Sequence, residues 1–193
     1  MKDWTFFLVF ISCITFQRMI ELIIASHNEK WMKNQGAIEF GKQHYHYIVS
    51  MHLLFFISFI GEKVIFNHGL TAWWPIFLII FLMTQMMRIW ALHSLGRYWN
   101  TKIIVLPNTN VVRNGPYRFI KHPNYLIVSM EIILIPLFFK AYITATLFTL
   151  LNIWILSIRI PEEENALKNF TEYEGTFQNC NRFLPKLLNK YDS

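Results

Sequence analysis

Charge is scarce in this chain. Asp, Glu, Lys and Arg make up 16% of its 193 positions, against roughly 25% in ordinary soluble domains, and that deficit excludes a conventional water-facing globule. Cysteine is nearly absent. Cys13 lies in an apolar run and Cys180 in a polar tail, so a disulfide framework and a four-thiolate zinc site are both excluded and the two thiols are expected to stay reduced. No Gly-x-Gly-x-x-Gly or phosphate-loop pattern occurs, which leaves a Rossmann-type nucleotide domain without its backbone cradle. Gly/Ser linkers, low-complexity tracts and internal repeats are missing too, and one domain over residues 1–193 is the expectation. The formal net charge is +6, but no compact Lys/Arg run accompanies it, so nucleic acid is not an expected partner.

What the chain does have is apolar bulk: 54% of it is hydrophobic and 17% aromatic. A bilayer core of roughly 30 Å takes about 20 largely apolar helical residues. Five stretches qualify, at residues 4–24, 47–60, 70–92, 126–139 and 141–160. They predict an all-α integral membrane protein with about five transmembrane helices, in contact with membrane lipids. Only Lys140 separates the last two, which reads as a C-terminal helical hairpin. The first stretch lacks a small-residue cleavage site and carries Arg18 and Glu21, so a retained helix is expected rather than a removed signal peptide.

Cationic short loops stay cytoplasmic. Lys30, Lys33 and Lys42 lie between the first two spans, and Arg97, Lys102, Arg113, Arg118 and Lys121 between the third and fourth. Arg159, Lys168, Arg182, Lys186 and Lys190 lie at or after the end of the fifth. The opposite side holds Lys2, Lys63 and Lys140. Thirteen against three puts the N-terminus outside and the C-terminus in the cytoplasm of a multi-pass cell-membrane protein. Arg18, Glu21, Arg88, Glu131 and Arg159 then all fall in the cytoplasmic part of the membrane. Ionisable groups there are costly unless they pair, snorkel or face a cavity. A polar cavity open to the inner leaflet would account for all five together.

Two polar clusters interrupt the apolar pattern. GPYRFIKHPNY, residues 115–125, has a Gly-Pro turn and then Pro123 where a helix can begin without losing an amide bond. Read alone it anchors the helix, with Tyr117 and Tyr125 as interfacial aromatics and Arg118 and Lys121 on phospholipid. RIPEEENAL follows the fifth span, with Arg159 ahead of Glu162, Glu163 and Glu164. Three carboxylates at an anionic surface are poor anchors. They suit either a helix N-terminus after Pro161 or a cationic, hydroxyl-rich ligand.

Taken together, Gly115 and Tyr117, His122-Pro123-Asn124-Tyr125, a helical hairpin, and Arg159 with Glu163 and Glu164 resemble the isoprenylcysteine carboxyl methyltransferase family of membrane-embedded enzymes. The resemblance covers residues 93–180, and Ile127 stands where many members carry glycine. It implies S-adenosylmethionine as cofactor at a cytoplasmic site. Val111, Val112 and Tyr117 would line it with Thr109 and Asn110, while His122, Pro123, Asn124 and Tyr125 form its wall. Glu163 and Glu164 would face the cofactor's polar groups and Arg159 the acceptor, with Lys102 as a further neighbour. Within the family, LGRYWNTKIIVLPNTNVVRNGPYRFIKHPNYL is most similar to bacterial members associated with type III polyketide synthases, which O-methylate alkylpyrones and alkylresorcinols. That implies a lipophilic small-molecule acceptor and such a synthase as functional partner.

The chemistry suits the residues. In-line methyl transfer from a sulfonium needs a nucleophile, alignment and exclusion of water. An acidic pyrone hydroxyl, or a carboxylate, can arrive deprotonated, so a base is not obligatory; His93 and His122 are the imidazoles near the inner face. Other readings are prenylcysteine carboxyl or phospholipid methylation, an NADPH-dependent reductase, and a non-catalytic scaffold. The reductase would want more spans and more cations. His44-x-His46 has no third ligand nearby, so no metal site is expected. The tail from Thr171 is expected to cover the site, with Phe177, Phe183 and Leu184 against the membrane.

Overall fold

In a computed structural model that describes residues 2–177 and 180–184, six helices and one small ladder follow in the order α1 (Lys2–Asn34), β1 (Ile38–Phe40), α2 (Lys42–Phe66), α3 (Trp74–Leu95), β2 (Ile103–Val105), α4 (Pro123–Phe138), α5 (Tyr142–Phe170) and α6 (Tyr173–Phe177). Lipid offers no hydrogen bonds to a backbone, so apolar runs of this length must close their bonds within helices. α1, α2, α3 and α5 are long and apolar enough to cross a membrane. α4 has 16 residues, about 24 Å at the helical rise. Ile23, 67% exposed, and Met86, 71% exposed, point away from the interior, as a lipid-facing surface requires. The protein is a multi-pass membrane protein.

α4 and α5 form the expected hairpin. The chain reverses at Lys140, whose φ is +56°, and the Ala141 amide donates to the Pro136 carbonyl at 3.0 Å. α2 caps the return. Glu62 accepts from the backbone amides of Ile143 (3.1 Å) and Thr144 (2.7 Å) and from the Thr144 hydroxyl (2.7 Å). These are orphan donors of the first turn of α5. Beside it the Lys63 ammonium donates to the His68 carbonyl and lies 5.2 Å from the Trp4 ring. A phenylalanine cluster fills this end of the bundle, with Phe7 edge-on to Phe139 at 5.0 Å and Phe10 5.2 Å from Phe138.

α5 departs from the expected span. It does not stop at Ile160 but runs through Pro161 to Phe170, so the three glutamates do not sit at a helix N-terminus. Pro161 removes one amide bond, and the carbonyl left without it belongs to exposed Ser157. The β1–β2 ladder is antiparallel, pairing Ile38 with Val105 and Phe40 with Ile103. Three-residue strands carry no legible period in sequence.

Arg18, Glu21, Arg88 and Arg159 line one cavity and Glu131 a small void beside it, and all but Arg159 form an ion network across three helices. Arg18 bonds Glu21 at 2.8 Å and also Glu131; Arg88 bonds Glu21 at 2.9 Å and, through Nε, Glu131 at 3.1 Å. Gln17 and Gln85 donate to the remaining carboxylate oxygens at 3.0 and 2.6 Å. Glu131 is 3% exposed. Two arginines and two glutamates cancel in charge, which is how they persist in hydrocarbon. Arg159 stands apart, closer to the mouth of the bundle. Glu131→Gln should therefore cost about 3 to 5 kcal/mol, because it leaves two buried guanidiniums on one carboxylate. Denaturant unfolding in detergent measures this, and a loss under about 1 kcal/mol would mean that Glu21 alone neutralises both.

Candidate functional site

Opposite the phenylalanine end, the bundle encloses a cavity of about 960 Å³, at the upper end of the size of small-molecule sites. Its outer part is lined by the 103–112 segment, the start of α4 and the end of α5. Its inner part lies between α1 and α2 and is walled by Ile11, Phe16, Met19, Leu53 and Phe56 among others.

The ladder positions the first wall. β2 is fixed against β1, and Asn108, at φ +59°, donates its amide to the Phe170 carbonyl at 3.0 Å. Thr109 Oγ1 donates to the Leu106 carbonyl at 2.7 Å. With both ends held, Thr109, Asn110, Val111 and Val112 all face the cavity. Gly115 sets the next turn: its φ is +56°, and a Cβ there would stand 1.9 Å from the Ser94 hydroxyl. No other residue type fits that approach of turn to α3. The turn delivers Tyr117 into the interior, where it packs with Ala91 and Ile127. Ile127 is fully buried, and the small residue at this helix contact is Ala91, on α3.

Three consecutive carboxylates on α5 take three different partners, since successive side chains point about 100° apart around a helix. Glu162 meets His44 Nδ1 of α2 at 2.9 Å. A Cβ on Gly41, at φ +62°, would press on the same carboxylate at 3.1 Å. Glu163 accepts from the Tyr125 hydroxyl, which in turn accepts from Arg159 Nε at 2.9 Å. Arg159 also donates to the Thr101 carbonyl at 2.5 Å. Glu164 meets His122 Nε2 at 3.1 Å and accepts from Arg182 at 3.0 and 2.6 Å. The segment carrying Arg182 runs beside residues 120–122: the Lys121 amide donates to the Asn181 carbonyl at 2.9 Å and the His122 amide to that of Arg182 at 3.1 Å.

Of the residues singled out in sequence, Thr109, Asn110, Val111, Val112, Tyr117, His122, Asn124, Tyr125, Arg159 and Glu163 line the one cavity, as does Lys102. Pro123 and Glu164 do not; Pro123 is buried in the first turn of α4, and Glu164 is turned to His122 and Arg182. His93 is exposed and outside the cavity, which removes it as a base. His44 is spent on Glu162, and no cluster of metal-ligating side chains occurs among the described residues. Phe177 lies in the interior rather than against lipid, packed with Tyr173 and Cys180 below Val111. Phe183 is half-buried and Leu184 exposed; the tail from 185 to 193 lies outside the described residues.

Trp99, Tyr173 and His52 line the cavity without having been singled out in sequence. Trp99 and Tyr173 sit among other interfacial aromatics and have no distinguishing spacing. His52 did carry a signal, a lone imidazole in the apolar run MHLLFF. The buried Trp99 Nε1, Tyr117 Oη and Tyr173 Oη find no hydrogen-bond partner among the described residues. Burial, and then the nearby Glu163, raises Tyr117 well above the usual phenol range. Burial, then Glu164 and Glu163, does the same for Tyr173. Both therefore remain O–H donors at neutral pH. Buried polar groups are expected to be satisfied, so three unanswered groups around one cavity fit a ligand rich in nitrogen and oxygen.

Comparison with known proteins gives the family. The isoprenylcysteine carboxyl methyltransferase (ICMT) family profile matches residues 77–169, from α3 to the end of α5. The chain is 47% identical over 165 residues to "Uncharacterized protein YpbQ" of Bacillus subtilis (strain 168), covering 86% of this chain and 98% of that one. It is 29% identical over 159 residues to an "Uncharacterized protein" of Haemophilus influenzae (strain ATCC 51907 / DSM 11121 / KW20 / Rd), covering 82% and 92%. With its helical hairpin, its charged mouth and this profile match, the chain belongs to the isoprenylcysteine carboxyl methyltransferase family of membrane methyltransferases.

Proposed function

We propose that this protein is an integral-membrane O-methyltransferase that uses S-adenosylmethionine to methylate a lipid-like acceptor, the hydroxyl of an alkylpyrone or alkylresorcinol. One observation carries this reading: a single cavity joins a polar mouth to an apolar chamber between α1 and α2. A water-soluble donor and a lipid-soluble acceptor can meet only where such compartments join.

Family members use S-adenosylmethionine, and the residues at the mouth fit it. Glu163 offers a carboxylate to an amine or ribose hydroxyls. The unanswered Tyr117, Tyr173 and Trp99 donors would serve its remaining polar atoms, and Val111 and Val112 its flat apolar ring. When bound, the cofactor supplies an electrophilic methyl group. The chain's own part is to hold the acceptor oxygen and keep water out. Arg159, fixed by Tyr125 and Thr101, presents a cation to that oxygen. Glu164 acts one step back by setting His122 and pinning the Arg182 segment over the mouth. Residues 1–193 work as one domain with 93–180 as its core, and a type III polyketide synthase would supply the acceptor. A prenylcysteine carboxylate is the second reading, favoured by the family's own reaction; it would fill the same chamber with its prenyl chain.

Calorimetry in detergent should show binding of S-adenosylmethionine and S-adenosylhomocysteine but not NADPH. NADPH binding alone would overturn the methyltransferase reading. Glu163→Gln exchanges a charged hydrogen bond for a neutral one, worth about 1.5 to 3 kcal/mol, and should weaken donor binding roughly 10- to 150-fold. Unchanged affinity would remove Glu163 from the donor site. The cation asymmetry supports a mouth in the cytoplasm and an N-terminus outside. Cysteines introduced at Asn67 and Asn108 should then react with an impermeant reagent from opposite sides of the membrane, and reaction of both from outside would refute that orientation.

A further inference from the structure

In the inner chamber, beyond Tyr125 and Arg159, Arg18 and Glu21 from α1, His52 from α2, Arg88 from α3 and Asn152 from α5 border the same space. Of these, Arg18 and His52 also border the small void behind it, beside Glu131, and lie outside the stretch that the family profile matches.

Their hydrogen-bonding states are complementary. His52 Nδ1 lies 2.8 Å from the Ile48 carbonyl oxygen. A carbonyl cannot donate, so Nδ1 carries the proton and the neutral ring keeps an unprotonated Nε2. Arg18 commits two of its five N–H donors, one to Glu21 and one to Glu131. The charged groups around His52 are Arg18 and Glu21 on α1, Arg88 on α3 and Glu131 on α4, and they sum to zero. From α5 the chamber receives Asn152, which is uncharged. A hydroxyl placed here donates to Nε2 and accepts from Arg18, whereas an oxygen without a proton leaves Nε2 unanswered.

The spacing limits the ligand. Glu131, which fixes the level of Arg18, lies six residues along α4 from Tyr125, about 9 Å. Arg18 and His52 therefore lie deeper in the bundle than Tyr125 and Arg159, and meet the far side of an acceptor ring held there. An acceptor that enters from the lipid travels as the neutral ring, because an anion is costly in hydrocarbon, and loses its proton in place.

We propose that His52 is a catalytic base that removes the proton from the far oxygen of a ring acceptor whose two oxygens are conjugated, while Arg18 holds the charge that develops there. The proposal rests on the methyltransferase reading and narrows its acceptor to the pyrone type. In a hydroxypyrone, the enol and the carbonyl exchange roles when one proton moves, so either oxygen can give it up. The far O–H bond breaks and its proton goes to Nε2, while Nδ1–H stays on the Ile48 carbonyl. The electron pair spreads through the ring to the near oxygen beside Arg159. That oxygen bonds the methyl carbon as the carbon–sulfur bond breaks, and the pair from that bond stays on sulfur as a neutral thioether. The imidazolium then returns its proton to water through the mouth. In an alkylresorcinol the two hydroxyls are not conjugated with one another, so taking the far proton would not charge the near oxygen. A prenylcysteine has no far oxygen at all.

The test is a long-chain hydroxypyrone added to the full-length, donor-free protein at a pH where the ring in the same detergent without protein is mostly neutral. The ring's ultraviolet absorbance should be that of the anion with the wild-type protein. His52→Gln keeps a hydrogen-bond acceptor but cannot take a proton, and the ionised fraction should fall roughly tenfold, the equivalent of about one pH unit. Nitrogen NMR of histidine-labelled wild-type protein is the second measure: Nε2 of His52 should gain a proton with the hydroxypyrone and not with its methyl ether. Equal ionisation in His52→Gln, or a His52 that stays neutral with the ring bound, overturns the proposal. Neither readout needs the donor. If both hold and no methyl is transferred, the methyltransferase reading falls and the base stands; if methyl is transferred and neither holds, the base falls alone.

Discussion

Two arginines and two glutamates in hydrocarbon cannot be left unpaired, and that requirement decides where α1, α3 and α4 stand. An isolated charge at that depth costs several kcal/mol after relaxation. Each carboxylate here meets both guanidiniums, and the glutamines complete the remaining oxygens. Because those partners come from three helices, the network works as a clasp rather than as three local pairs. It holds α1 against the α3–α4 pair at the level where the chamber begins. The chamber then opens on the side of α1 that faces α2, whose own anchor is Glu62 at the N-terminus of α5, near the far end of the bundle.

A second constraint organises the mouth. Pro161 does not end α5, and the helix carries its three carboxylates past the membrane surface as a spoke with three directions. Glu162 holds α2, Glu163 holds Tyr125 and through it Arg159, and Glu164 holds His122 and the Arg182 segment. One turn of helix therefore ties together α2, the start of α4 and the Arg182 segment. The middle carboxylate is the one left facing the cavity, which is why it carries the donor-binding role in the proposed function.

The membrane fold was legible because it rests on long apolar runs, and the hairpin because Lys140 alone interrupts them. GPYRFIKHPNY and Arg159 with its glutamates stood out because their residue types are out of place in lipid, and it was the family resemblance that joined them into one site. What the sequence hid were tertiary choices. Arg18 and Glu21 stand at helical pairing distance and do pair, but nothing in the spacing says that Arg88 and Glu131 join them from other helices while Arg159 stays with Tyr125. The continuation of α5 through Pro161 depends on an exposed Ser157 carbonyl that tolerates losing its amide. Phe177 reads as a membrane contact because it is apolar and near the surface. The structure spends it inside, below Val111, because the Asn181 and Arg182 backbone pairs with residues 121 and 122 and draws the segment inward.

In the proposed function a lipid acceptor and a soluble methyl donor meet beside Arg159. Arg159→Lys keeps the charge but loses the planar fork that Tyr125 and Thr101 orient, and a displacement of about 1 Å in a reacting group can cost on the order of 100-fold in rate. The direct measurement is methyl transfer from labelled S-adenosylmethionine to a long-chain alkylpyrone and to a prenylated cysteine, with donor affinity measured on the same samples. The wild-type protein should methylate the pyrone, and Arg159→Lys should lose roughly 100-fold of that turnover while donor affinity changes little. Equal turnover by Arg159→Lys would make the residue an interfacial anchor and contradict the acceptor site.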